Sequence, residues 1–418
     1  MIEILRNVNF WDDRPVPVGF VRHGYLERFS NYLGNHLVKV VLGQRRVGKS
    51  YLLRMLIHHL VSERGVRPEN ILYINKDLHV LDFIDSDTKL MEAIRQYREA
   101  MSPEGRVYIL LDEVQEIKGW EKAVNSLCQD YTREYEVFIT GSNANLLSTE
   151  LSTYLGGRYI TFEIFPFSYK EFLGFHDLEC SRESLITYLK AGGMPESYTL
   201  QGQEARRNYF VSLHDSIVLR DIVQRHKVRD IYLLERLILL LIDSTGSYFS
   251  INSVVKYLKS AGYRTNSETI GTYIHYLKSA YFIHESPRYD IKGKRQLGGE
   301  RKFYINDLGF KFYLSSSFDF SIGKFLENAV YLHLRRQGYT VFTGKLRDKE
   351  IDFIAEKEGS RIYLQVAYIL PDEKVIEREF GNLARIRDHY PKKVISLDDA
   401  YLGSRDGIEH VPAWEFLS

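Results

Sequence analysis

One eight-residue segment constrains this chain more than any other. Gly43-Gln44-Arg45-Arg46-Val47-Gly48-Lys49-Ser50 satisfies G-x-x-x-x-G-K-[ST] at every fixed position. It follows an apolar run, His36–Leu42, and precedes a stretch of helix formers, Tyr51–Leu60, so the flanking strand and helix that the pattern needs are both expected. The glycines let backbone N–H groups turn inward around phosphate oxygens, and the helix start adds its partial positive charge. Lys49 is then placed to bridge terminal phosphates and the Ser50 hydroxyl to ligate Mg²⁺. Gln44, Arg45, Arg46 and Val47 line the loop and Tyr51 follows it. Arg45 and Arg46 read as packing or pairing residues near the loop.

A second run, Val107–Leu111, ends in Asp112-Glu113, an apolar strand followed by two adjacent carboxylates. P-loop enzymes hold Mg²⁺ through an acid at such a place, which assigns the metal to Asp112 and polarisation of the attacking water to Glu113. A third run closes on Thr140-Gly141-Ser142-Asn143. It puts small polar groups, Ser142 among them, either beside the γ-phosphate position or in a plain strand-to-helix turn. No Ser/His/Asp or Cys/His nucleophile arrangement is present, and His58-His59 reads as helix surface.

These runs, with Asn70–Asn75 and Tyr159–Phe165, alternate with helical stretches from about residue 20 to 165, an α/β layout with a parallel sheet. Length extends the account: 418 residues allow two to four domains. From Ser168 to about Leu241 the strand signal vanishes in favour of helix. Thr265 and Glu268 then form a capping-box pattern ahead of Ile270, Tyr273, Ile274 and Leu277 on one helical face. With an earlier helix at Asn252–Ser260 and a hairpin through Gly298-Gly299, this order describes a winged helix-turn-helix. A smaller α/β unit closes the chain. Cys128 and Cys180 are too few for a disulfide framework. No apolar run is long enough for a membrane span, which places the chain in the cytoplasm with no membrane partner.

The chain resembles a family of uncharacterised prokaryotic AAA ATP-binding proteins with a C-terminal region of unknown function. The resemblance rests on Gly43–Ser50, Leu110–Glu113, Thr140–Asn143, Gly156-Gly157-Arg158, Phe165-Pro166-Phe167-Ser168, Glu171-Phe172 and Gly192-Gly193-Met194-Pro195. It implies ATP binding, Mg²⁺-dependent hydrolysis and a helical lid, and no established substrate. Arg158 lies where AAA-type ATPases set a finger for the neighbouring subunit, which implies a homo-oligomer; the alternative is a surface arginine. A sensor arginine in the lid is open among Arg206, Arg207 and Arg220.

The formal net charge is +1, so no overall pull toward nucleic acid exists. Residues 244–310 nevertheless hold ten Lys/Arg against five Asp/Glu. That segment favours DNA contact through Ser267, Thr269, Lys278 and the wing; a rigid spacer or a docking module for an unknown protein partner is the alternative. The last hundred residues resemble the restriction-endonuclease-like fold, with Glu327, Asp352 and the strand Leu364-Gln365-Val366-Ala367 at its working positions. Gln365 and Ala367 replace a metal-ligating acid and a lysine, so nuclease activity is not expected. The expected fold is therefore α/β, a P-loop NTPase core (1–166) and helical lid (167–243) followed by a winged helix-turn-helix (244–312) and a restriction-endonuclease-like unit (313–418). The expected activity is ATP hydrolysis. Its alternative is a nucleotide-gated DNA- or protein-binding module with little or no hydrolysis.

Overall fold

In the computed structural model, which describes residues 1–12, 14–144, 154–315, 321–399 and 402–418, the apolar runs become strands. They are β1 (Val38–Leu42), β2 (Ile71–Asn75), β3 (Val107–Asp112), β4 (Tyr135–Gly141) and β5 (Tyr159–Glu163). All pair in parallel in the order β2-β3-β4-β1-β5. Every residue of β1, β3 and β4 is buried, whereas the edge strand β5 is largely half-buried. That contrast explains why the central runs are continuously apolar. The helices α1 (Ile2–Val8), α2 (His23–Ser30), α3 (Lys49–Ser62), α4 (Asp87–Met101) and α5 (Trp120–Gln129) complete a compact unit that ends at Ile164.

Two polar devices secure this sheet. Lys39, inside β1, is wholly buried and pairs with the equally buried Glu136 of β4 at 2.6 Å. The Glu136 carboxylate also accepts the Gly34 N–H, tying down the turn that feeds β1. At the other edge, the Asn9 side-chain amide accepts the Tyr73 N–H (2.7 Å) and donates to the Tyr73 carbonyl (3.0 Å). Trp11 Nε1 donates to the Ile71 carbonyl at 2.8 Å. The segment after α1 thus satisfies backbone groups on the free edge of β2, which would otherwise template strand pairing.

Residues Phe165–Ser418 form a second compact unit around one nine-stranded sheet. Its strands are β6 (Tyr248–Phe249), β7 (Ile283–Asp290), β8 (Arg295–Ile305), β9 (Thr340–Leu346), β10 (Lys349–Lys357), β11 (Ser360–Ala367), β12 (Lys392–Ser396), β13 (Ser404–Arg405) and β14 (Ile408–Pro412). They pair in the order β13-β14-β12-β11-β10-β9-β7-β8-β6. The hairpin β7–β8 is joined through β7 to β9 in parallel register, Arg288 opposite Thr343, so one sheet runs across the boundary expected at 312/313. Segments 244–312 and 313–418 share this sheet, and the helices of 167–243 belong to the same compact unit.

The helix pair ahead of the hairpin, Ile251–Ser260 and Ser267–Ser279, falls where the periodicity puts it, and Ile270, Tyr273, Ile274 and Leu277 are buried. Its cap differs. Asn266, not Thr265, accepts the Thr269 N–H, so the helix starts one residue later than the Thr-x-x-Glu pattern suggests. The Gly-Gly-Met-Pro and Phe-Pro-Phe-Ser motifs meet at one buried knot. The Asp307 carboxylate accepts N–H groups from Gly193 (2.6 Å) and Gly309 (2.8 Å), and Tyr188 donates to the Phe167 carbonyl. Burial pushes the Asp307 carboxyl up to about 7 despite these donors.

Candidate nucleotide-binding site

The strand order sets β3, β4 and β1 side by side, so their C-terminal ends bring Asp112, Thr140 and the phosphate loop into one crevice, the usual ligand position in an open parallel sheet. Gly43 has no room for a side chain: a Cβ there would lie 2.4 Å from the Ile164 carbonyl oxygen. Gly48 adopts φ 96° as N-cap of α3, and no side chain caps that helix, leaving its first N–H groups facing outward for an anion. Gln44 and Val47 are buried, Arg45 is half-buried, and Arg46 is exposed in a left-handed conformation. Arg22, itself buried, donates to the Val47 carbonyl at 3.3 Å and braces the loop from the preceding segment.

Lys49 is buried and folded back: its ammonium donates to the carbonyls of Gly43 (3.1 Å) and Gln44 (3.3 Å) and stands 3.6 Å from Glu113 Oε1. Tyr51 is 47% exposed at the mouth, with the Arg54 guanidinium 4.0 Å above its ring.

Asp112 is wholly buried. Its Oδ1 accepts the Thr140 hydroxyl at 2.5 Å and its Oδ2 the Tyr73 hydroxyl at 2.8 Å. Burial raises its pKa, aided by the charge of Glu113, while hydrogen bonds from Thr140, Ser50 and Tyr73 pull the other way. Glu113 turns out of the strand with φ 55° and its N–H donates to Thr140 Oγ1 at 2.9 Å. Burial pushes its carboxyl up, but Lys49, the Gln115 amide and Arg45 outweigh that and hold it below the ordinary value. Thr140 therefore fixes both acids at once, through its proton and its lone pair.

The structure brings together Lys49, Ser50, Asp112 and Glu113. Ser142 lies buried just past β4. Arg158 is elsewhere: it is exposed, and its carbonyl accepts the Val38 N–H at the entrance of β1. The phosphate loop leaves the other end of that strand, about 16 Å away at ~3.3 Å per residue. Arg158 therefore does not serve its own chain's loop. Sequence reasoning missed Tyr73 and Arg22. A tyrosine inside an otherwise aliphatic strand was the available signal for the first, since a buried phenol requires an acceptor.

An AAA-domain family model matches residues 35–173, and a model for a domain of unknown function matches residues 182–320. An uncharacterised protein of Haemophilus influenzae is 34% identical over 95% of this chain and 98% of its own length. The chain belongs to this family of uncharacterised AAA-domain proteins. A second member, from Methanocaldococcus jannaschii, is 31% identical over 82% of this chain and 77% of its own length. Among solved structures, the Walker-type ATPase PABY2304 of Pyrococcus abyssi is similar at 17% identity, covering 73% of this chain and 97% of that one with a TM-score of 0.46. The family model and the relatives place the chain's α/β core in the AAA family. Among the described residues, no helix is long and apolar enough to cross a membrane.

This AAA-family chain carries a second group of acids, around the buried Glu327, in its C-terminal unit. Glu327, on the helix Ile322–Arg336, accepts Lys302 Nζ at 2.7 Å and the Tyr304 hydroxyl at 2.8 Å. Lys302 also pairs with Glu350 at 2.6 Å. Asp352 accepts the Val366 N–H at 2.8 Å, and its own N–H donates to Gln365 Oε1 at 3.3 Å. Burial, with Glu327 nearby, pushes the Asp352 carboxyl up to about 8. Glu327, Asp352 and Gln365 therefore lie near one another, with Lys302 among them.

Proposed function

We propose that the chain is a Mg²⁺-dependent ATPase of the AAA type. What carries the reading is the convergence of Lys49, Ser50, Asp112 and Glu113 beside an uncapped helix start. The donor set fits the implied groups: glycine-lined N–H donors and an ammonium for phosphate, a hydroxyl beside a buried carboxylate for a hard cation. Ser50 and Asp112 hold the metal, which when bound neutralises charge on the phosphates. Lys49 leaves the loop carbonyls for the terminal phosphates. Glu113, kept ionised by Lys49 and Arg45, orients water. Arg158, remote from its own loop, is assigned to the site of a neighbouring copy, where a guanidinium stabilises transition-state charge.

One steady-state experiment tests these roles. Glu113→Gln binds a fluorescent ATP analogue normally and loses turnover by about 100-fold or more, the scale expected for removing a general base. Turnover per chain rises with chain concentration in the parent and stays low and flat in Arg158→Ala. Retained turnover in Glu113→Gln sinks the ATPase reading; an unchanged concentration dependence sinks the trans arginine.

We further propose that the hairpin turn touches DNA. Of the ten basic residues in that segment, Lys302 is buried, Arg301 and Lys278 pair with Glu285, and Arg288 pairs with Glu300. Lys292, Lys294 and Arg295 at the turn remain exposed, as do Lys256, Lys259 and Arg264. Reversing the three turn cations should flatten the log–log salt dependence of duplex retention by about 3. An unchanged slope points instead to a protein-docking or spacer role.

A further inference from the structure

We infer that Tyr73 is a positioning residue for the metal-holding carboxylate of Asp112. The inference rests on the ATPase reading and names a residue that the phosphate-loop and acid motifs leave out. A carboxylate inside a fully buried crevice has two oxygens to satisfy, and both are taken by hydroxyls. Thr140, from β4 on one side of β3, donates to Oδ1 at 2.5 Å; Tyr73, from β2 on the other side, donates to Oδ2 at 2.8 Å. The two donors approach from opposite neighbouring strands, so together they fix the plane in which the carboxylate lies. Losing Tyr73 removes the restraint from the β2 side and leaves Thr140 and Ser50 as the remaining hydroxyl partners.

Tyr73 is built to hold that place. It is 4% exposed, and the Phe10 ring stacks on it with centroids 6.1 Å apart. Its backbone is gripped on both sides of the peptide by Asn9, which is 3% exposed. Trp11 fixes the strand two residues earlier at the Ile71 carbonyl. An edge strand would otherwise be the most mobile part of the sheet. Here the segment after α1 closes it at the residue whose hydroxyl reaches Asp112. Hydroxyl donors hold the carboxylate without neutralising it, so its charge stays available to a cation. Tyr73 acts through Asp112.

The test is Tyr73→Phe, which keeps the ring and its stacking and removes only the donor. Mn²⁺ binding is titrated by electron paramagnetic resonance on the full chain with a non-hydrolysable ATP analogue present, and Mg²⁺ dependence of turnover is measured in parallel. Outer-shell partners typically contribute 10–100-fold to metal affinity, so Mn²⁺ should bind about 10-fold more weakly and half-saturating Mg²⁺ should rise similarly. Binding of the fluorescent ATP analogue in EDTA should not change. Asn9→Ala, which loosens Tyr73 from behind, should give a smaller shift in the same direction. An unchanged Mn²⁺ affinity in Tyr73→Phe overturns the proposal, and so does a loss of analogue binding in EDTA equal to the metal effect. Absence of turnover in the parent chain would instead strike the ATPase reading, and the Mn²⁺ comparison would still decide the role of Tyr73.

Discussion

The two buried acid clusters of this chain use the same residue types and end in opposite electrostatic states. In the N-terminal unit, Asp112 is surrounded by the hydroxyls of Thr140, Tyr73 and Ser50, and the nearest ammonium, Lys49, is drawn onto loop carbonyls. Hydroxyls satisfy lone pairs and leave the negative charge in place. In the C-terminal unit, Lys302 is 2% exposed and lies between Glu327 and Glu350, and Glu327 also accepts the Tyr304 hydroxyl and Lys324 Nζ at 3.1 Å. An ammonium there cancels the charge that a divalent cation would need. Burial thus leaves one carboxylate held by hydroxyls alone and makes the other half of an ion pair. The difference lies in which strand neighbours the acid: β2 and β4 offer hydroxyls, whereas β8 offers a lysine.

The strongest way to break this contrast is Lys302→Met. It takes from the buried Glu327 its closest ammonium and leaves Lys324 at 3.1 Å as its cation, and removing one partner of a buried pair costs about 3–5 kcal/mol. Urea denaturation followed through the C-terminal unit should report that loss, while binding of the fluorescent ATP analogue to the N-terminal unit stays unchanged under native conditions. A loss below about 1 kcal/mol would mean that the lysine is a surface partner, of the kind that contributes little. Lys302 also governs the DNA reading, because it belongs to the basic segment of residues 244–310 yet none of its charge reaches solvent.

What could be read from the sequence divides along the same line. Gly43–Ser50 and Asp112-Glu113 are legible because their chemistry is local: a few consecutive residues define loop, strand end and helix start. The strands β1–β5 fall within about two residues of the expected runs for the same reason. The Tyr73–Asp112 bond depends on which strand neighbours β3, and thirty-nine positions separate the two residues. The Lys302–Glu327 pair depends on a hairpin joining a sheet that the local pattern assigned to a separate module. The Thr265 cap fails for a narrower reason: Asn266 is an equally good cap one residue on, and backbone geometry chose it. Arg158 is legible as an arginine before a strand, but only the pairing of its carbonyl with Val38 shows which end of the sheet it occupies.

The finest test of the contrast is a pH series on Asp352→Asn. In the folded chain Asp352 stands near pH 8, above the range near 4 usual for an unfolded aspartate. Between those values the folded protein binds a proton that the unfolded chain has released, so stability falls as pH rises from about 4 to about 8. Asparagine has no proton to lose, and its side-chain oxygen can still accept the Val366 N–H, so the variant should lose this slope while keeping the fold. The difference between the two urea curves should grow by roughly 2 kcal/mol from pH 5 to pH 8, less than an isolated group would give because Glu327 and Lys302 share the titration. Asp307, near 7, contributes a slope of the same sign to both proteins and cancels in the comparison. If the difference instead stays flat, Asp352 is already ionised in the folded chain at pH 5, held so by the Lys302 charge. The cluster would then be closed completely, and its contrast with the hydroxyl-held Asp112 would be greater than the proton balance indicates.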